Sequence, residues 1–168
     1  MSRPEARLPV RIICAALMAP TAADIGRTIY QWVTGFPPVN WSITGRWFLM
    51  VLSGQPSVPE IGKAPSLPHE LLAGHAAYYT ISLIFAAAYV IGLRAAGRRP
   101  SLLNGLVFGW ATLVFPFLVQ MPLMGLGVFA HLTQTPGLII GRTLVHHSSF
   151  GLGLALGAML ADGVFRRR

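Results

Sequence analysis

The chain has 168 residues, 54% of them hydrophobic and only 11% charged, against about 25% charged in an ordinary soluble domain. That leaves too few charges to clothe a water-facing surface. The formal net charge of +8 raises nucleic-acid binding, but the basic residues gather at chain ends and in one short link; a phosphate-binding surface needs them along one face or helix, so no nucleic-acid partner is expected.

The apolar residues fall into four runs, each near the roughly 20 residues that cross a hydrocarbon layer about 30 Å thick. They predict an all-α, polytopic membrane protein with four transmembrane helices in a single membrane domain, the bilayer being its first partner. The first span is placed at residues 8–33, with Pro20 kinking it. Its purely apolar part, "IICAALMAPTAA", ends in small residues and so resembles a cleavable signal peptide. Against cleavage stand the helical continuation "DIGRTIYQWV" and the termini, which three spans alone would leave on opposite sides. Cys14 is the single cysteine, so neither an intramolecular disulfide nor a thiolate metal cluster is available.

Residues 34–68 form a long connection rich in proline and glycine. Within it, residues 40–52 predict a short interfacial helix whose Trp41, Trp47 and Phe48 suit the headgroup region. An anchor or a lid over the bundle fits this segment better than a catalytic role, with Arg46 facing phosphates or water. The second span is placed at 69–93, opened by Pro68. The third covers 101–123 with Pro116 inside it, and the fourth 138–161. The tight link "GRRPS" predicts that the second and third are antiparallel neighbours, and "MGLGVFAHLTQTPG" is long enough to fold back over the outer face. Gly105 and Gly109, like Gly153 and Gly157, are four apart, a spacing that lets helix backbones approach closely in lipid.

With four crossings, Arg3, Arg7, Arg11, Arg94, Arg98, Arg99, Arg166, Arg167 and Arg168 all fall on one side. Arg27, Arg46, Lys63 and Arg142 lie along or near the opposite ends. The positive-inside rule then places both termini in the cytoplasm.

That orientation fixes depths. At 1.5 Å per residue, His75 and His147 lie roughly 10 to 14 Å below the outer ends of their helices, Asp24 roughly 14 Å and Gln120 roughly 5 Å. All four spans thus bring a polar group to the outer half. His75, Tyr79 and Ser82 share one stripe; Arg142, His146 and Ser149 share another, with Thr143 and His147 beside it. Asp24 and Arg27, three apart, are placed to pair. The candidate cluster is therefore Asp24, Arg27, His75, Tyr79, Gln120, Arg142, His146 and His147 in a periplasm-facing pocket.

Several chemistries fit that cluster. His75 and His147 are candidate metal or haem ligands, although the spacing matches no known metal motif and the sequence requires no cofactor. A ligand, ion or proton pathway is the default reading of intramembrane ionisable groups. Alternatively, the polar groups only fix helix packing in an accessory subunit that docks onto a membrane partner or a second copy. Enzymatic activity is not expected: there is no G-x-S-x-G, no H-E-x-x-H and no paired carboxylates.

The segments "DIGRTIYQW", "NWSITGRW" and "QMPLMGLGVFA", then a TP, an arginine and a histidine followed by "FGLGL", resemble the small bacterial inner-membrane family catalogued as domain of unknown function 2938. Gln120, Pro122, Gly125, Gly127, Pro136, Arg142, His147, Phe150 and Gly151 carry the likeness in the second half. The resemblance implies four spans in a bacterial cytoplasmic membrane and no established activity. In the second span the family pattern carries a histidine where this chain has Tyr78, and a tryptophan where it has His75. A site of two facing histidines would need His75 to substitute from one turn earlier.

Overall fold

The computed structural model describes the backbone of residues 8–166 and the side chains of residues 8–163. Of the basic residues used to orient the chain, Arg3, Arg7, Arg167 and Arg168 lie outside the described residues, as does the side chain of Arg166. Four helices are long and apolar enough to cross a membrane: Leu8–Thr34, Glu70–Ala95, Leu102–Leu123 and Pro136–Gly163. They include α1 (Leu8–Thr34), α3 (Glu70–Ala95) and α6 (Pro136–Arg166). The third span is composite: α4 (Leu102–Ala111), a π turn (Pro116–Gln120) and the single turn α5 (Met121–Leu123). The expected short helix is α2 (Trp41–Leu52), and a 3-10 turn occupies Val128–Ala130.

Local chemistry sets these boundaries. Asn40 opens α2 by accepting the backbone N–H groups of Ser42 and Ile43. Ser101 and Asn104 form a capping box at the start of α4, and the Asn104 side chain also accepts the Tyr89 hydroxyl at 2.5 Å. Pro116 has no N–H to return to Thr112, so the helix cannot keep its i→i−4 ladder there. The Thr112 carbonyl accepts from Phe115 instead, and the chain continues in the wider π register. Pro20 leaves the Ala16 carbonyl of α1 without its partner in the same way. The Ser82 hydroxyl of α3 donates to that oxygen at 3.1 Å, and Ser82 is 1% exposed. Inside lipid this repair matters, because no water is available to make it.

Packing centres on α6, which runs antiparallel to α1 and to α4. A Cβ on Gly153 would lie 2.6 Å from the Met18 carbonyl oxygen, and Gly157 is equally close to Cys14 and Ala15 of α1. Gly105 and Gly109 of α4 face Gly151 and the His147 carbonyl of α6. The two spaced glycine pairs thus serve different neighbours and do not meet each other. A further pair, Gly45 and Gly74, seats α2 directly on the backbone of α3. Where the same ends converge, Arg11 of α1 pairs with Asp162 of α6 at 2.6 Å.

The structure corrects two expectations. α3 and the third span are neighbours at their hairpin end only, through the Tyr89–Asn104 hydrogen bond and the edge-on contacts of Phe108 with Phe85 and Tyr89. Further along they part, and α4 follows α6 while α3 follows α1. Arg46, expected at phosphates or water, is instead buried at 9% exposure. It donates to both Glu70 carboxylate oxygens, at 2.8 and 3.1 Å, and to the Ala64 carbonyl at 2.5 Å. The Glu70 hydrogen bond, opposed by burial, raises the Arg46 pKa above its ordinary value and keeps the guanidinium charged. Trp47 is likewise turned inward, 3% exposed, with its indole N–H on the Pro56 carbonyl at 2.9 Å. It belongs to a small core with Val58, Ile61 and Met124 that joins α2 and the loop after it to the end of the third span.

Candidate functional site

Where α3 and the third span part, a cavity of about 250 Å³ opens. One wall is α3, with Tyr78, Ile81, Ser82 and Phe85; the opposite wall is the π turn, with Phe115, Pro116, Gln120 and Met121. α6 supplies the floor through Arg142, Thr143, His146, His147 and Phe150. α2 closes it from above with Trp41, Thr44 and Phe48, and Arg27 of α1 reaches its edge. A second cavity of about 340 Å³ adjoins it, sharing Arg27, Val39, Trp41 and Arg142 and adding Asp24, Gln31 and the prolines 37 and 38.

Five of the eight sequence candidates therefore line the first cavity: Arg27, Gln120, Arg142, His146 and His147. Both adjacent histidines of α6 line it. Asp24 sits at the second cavity, ion-paired with Arg27 and 3.4 Å from the Tyr78 hydroxyl. His75 and Tyr79 are exposed and line neither cavity. His75 rests against the Trp41 ring, centroids 5.5 Å apart. The stripe of α3 that faces inward is Tyr78, Ser82 and Phe85, one residue round from the stripe of His75 and Tyr79. The Tyr78 ring lies 5.8 Å from the His146 ring.

The two histidines are held differently. The Thr112 hydroxyl donates to the Gly109 carbonyl at 2.6 Å, so its oxygen accepts from His147 Nδ1 at 2.7 Å. A neutral His147 then carries its proton on Nδ1 and presents Nε2 as an acceptor. His146 is packed among rings, edge-on to His147 at 5.1 Å and stacked on Phe150 at 6.3 Å, and its enclosed Nδ1 has no hydrogen-bond partner among the described residues. The same holds for the enclosed Arg27 Nε. The Arg27 guanidinium lies over the Trp41 ring at 4.9 Å and near Tyr78 at 5.5 Å. Arg142 lies over Phe36 at 4.7 Å and donates to the Pro37 carbonyl at 3.0 Å.

Thr112, Tyr78 and Trp41 are site residues outside the sequence candidates, and Ser82 shares the candidate stripe of His75 and Tyr79 without entering the cluster. Thr112 is the one with a usable signal: a hydroxyl residue four before a proline, in a span that also carries Gln120. No group of three or more His, Cys, Asp or Glu residues able to hold a metal exists among the described residues. His75 and His147 stand at different places, one exposed under α2 and one on the cavity floor.

Fold and site together define a multi-pass helical protein with four membrane-spanning-capable helices and a cavity walled by arginine, histidine and aromatic side chains. Its family follows from comparison: the model described as a protein of unknown function, DUF2938, matches residues 13–161, and the chain belongs to that family. No curated protein and no solved structure matches it.

Proposed function

We propose that the chain is a multi-pass protein of the bacterial cytoplasmic membrane, with both termini cytoplasmic, whose cavity faces the periplasm and binds a small ligand. The observation that carries this reading is a cavity of about 250 Å³ bordered by Arg27, Arg142, His146 and His147, with apolar and aromatic side chains making the rest of its wall. The orientation rests on Arg94, Arg98 and Arg99, which share the hairpin end with Arg11, while the cavity lies at the other end of the bundle.

Binding is favoured over conduction by what lies below the cavity. Phe85 makes edge contacts with Phe108 and Phe150 at 6.3 and 6.2 Å, and Ala155, Ala158 and Leu154 beneath them are fully enclosed. That apolar plug offers no polar relay toward the hairpin end. Native mass spectrometry of the purified chain tests the reading: a co-purifying small molecule, reduced in His146→Ala and unchanged in His75→Ala, is expected. A chain that carries nothing and is not stabilised by any of a broad set of small molecules overturns it. Reporter fusions after residue 97 and at the C-terminus test orientation, and both are expected to report the cytoplasm.

A further inference from the structure

We infer that the cavity accepts an amphipathic organic anion: a carboxylate or phosphate head between Arg27 and Arg142, with an apolar chain in the wedge between α3 and the Pro116 turn. This rests on the ligand-binding reading above and names the chemistry of its ligand.

The charge balance asks for an anion. Two guanidiniums border the first cavity, and no Asp or Glu lines it. Asp24 pairs with Arg27 from the second cavity and is itself 49% exposed. Arg142 has no carboxylate partner among the described residues; its hydrogen bond goes to a backbone carbonyl. One positive charge at membrane depth is therefore uncompensated, and intramembrane cations normally pair.

The arginines are also held with their donors free. Aromatic rings cover a guanidinium face in each, Trp41 for Arg27 and Phe36 for Arg142. Stacking fixes the plane and leaves the in-plane N–H groups for an acceptor. Each guanidinium has five donors, and each uses a single side-chain hydrogen bond among the described residues, Arg27 to Asp24 and Arg142 to Pro37. A carboxylate or phosphate matches that planar fork.

The rest of the cavity is unsuited to a wholly polar ion. Ile81, Phe85, Phe115, Met121 and Phe150 make its walls. Its volume of about 250 Å³ lies just under the usual range for small-molecule pockets, about 300 to 1,000 Å³. A head and the first part of a chain fit inside, and a longer chain leaves through the wedge. The ligand source is either a free amphiphilic acid or an anionic membrane lipid, since both present this chemistry.

The test uses the full chain in a maltoside detergent, titrated with laurate, dodecyl phosphate, dodecanol and dodecyltrimethylammonium, and separately reconstituted with phosphatidylglycerol for native mass spectrometry. Saturable binding of laurate or dodecyl phosphate, with dodecanol and the cation at least roughly tenfold weaker, is expected; tenfold corresponds to about 1.4 kcal/mol. Arg142→Gln should weaken the anion roughly tenfold and Arg142→Lys should restore part of it. Ile81→Trp, on the α3 wall, should fill part of the apolar volume and weaken laurate. A retained phosphatidylglycerol adduct lost in Arg142→Gln identifies a lipid source, and laurate binding without such an adduct a free acid. Equal binding of dodecanol, preference for the cation, or an unchanged anion affinity in well-folded Arg142→Gln overturns the inference while leaving a binding cavity in place. Absence of binding by every probe, with no co-purifying molecule, overturns the underlying reading as well.

Discussion

Toward the hairpin end, α1, α4 and α6 touch backbone to backbone, whereas under α2 the helices stand apart and meet through side chains. Glycine makes the first region: Gly105, Gly153 and Gly157 each face a neighbouring main chain where a Cβ would not fit. In lipid, where apolar side chains gain little by leaving one hydrocarbon for another, such close approach is a principal source of helix association. Proline makes the second region. Pro116 ends the regular helix of the third span, and the segment beyond it leaves α3 to form the far wall of the cavity. The same lipid environment thus yields a dry, close-packed end and a polar, open one, according to which backbone-altering residue stands at each level.

Gly105→Val should break the tight region outright. Its side chain would enter the space of the Gly151 carbonyl and lie within 2.7 Å of the position of Ala155 Cβ. Overpacking of this kind costs about 3 kcal/mol or more when the obstacle is backbone, and loss of monodisperse protein on size exclusion is the expected result. Gly92→Ala is the contrast: open space surrounds that glycine, and helix propensity alone should make the variant equal or up to about 1 kcal/mol more stable. If both behave alike, the glycines of the close-packed end are not its cause.

Ser82→Ala sits at the boundary between the regions. It strands the Ala16 carbonyl that Pro20 left open, and thermal denaturation in detergent should show a loss of about 1 to 2 kcal/mol. Thr112→Val removes the acceptor for His147 Nδ1. Intramembrane hydrogen bonds average about 0.6 kcal/mol with a maximum near 1.7, so a smaller loss is expected, together with altered ligand affinity as His147 becomes free to turn.

Arg46→Gln should act only on the loop between α2 and α3. The pair with Glu70 and the bond to Ala64 hold residues 56–64 against α3, and limited proteolysis in that loop should quicken while the melting of the spans barely changes. Acidification sufficient to protonate Glu70 should do the same, since the pair exists only while the carboxylate is charged. His75→Ala and Tyr79→Phe should have the smallest effects, within about 0.5 kcal/mol, as surface positions away from any buried network.

The four spans and the short helix were legible because run length and residue spacing carry that information directly. Rotation of a span about its axis was not. A helix apolar on all sides gives no amphipathic signal to say which stripe faces inward, so Tyr78, Ser82 and Phe85 could not be separated from His75 and Tyr79. The parting of α3 from the third span was hidden too, because the tight "GRRPS" link fixes only the end of the hairpin. Arg46 was misjudged for a related reason: its partner Glu70 is 24 residues away, and no local pattern joins them.

The most direct measurement compares the rates at which two thiol reagents of similar size and opposite charge modify Thr143→Cys in a Cys14→Ser background, in purified protein accessible from both ends of the bundle. Thr143 lines the cavity between the two arginines and the histidines, and Cys14 is the single native thiol. After correction for reaction with a free thiol, the sulfonate-bearing methanethiosulfonate should react faster than the quaternary ammonium one, and Arg142→Gln should erase the difference. Equal rates, or a faster cationic reagent, would contradict an anion-selective cavity.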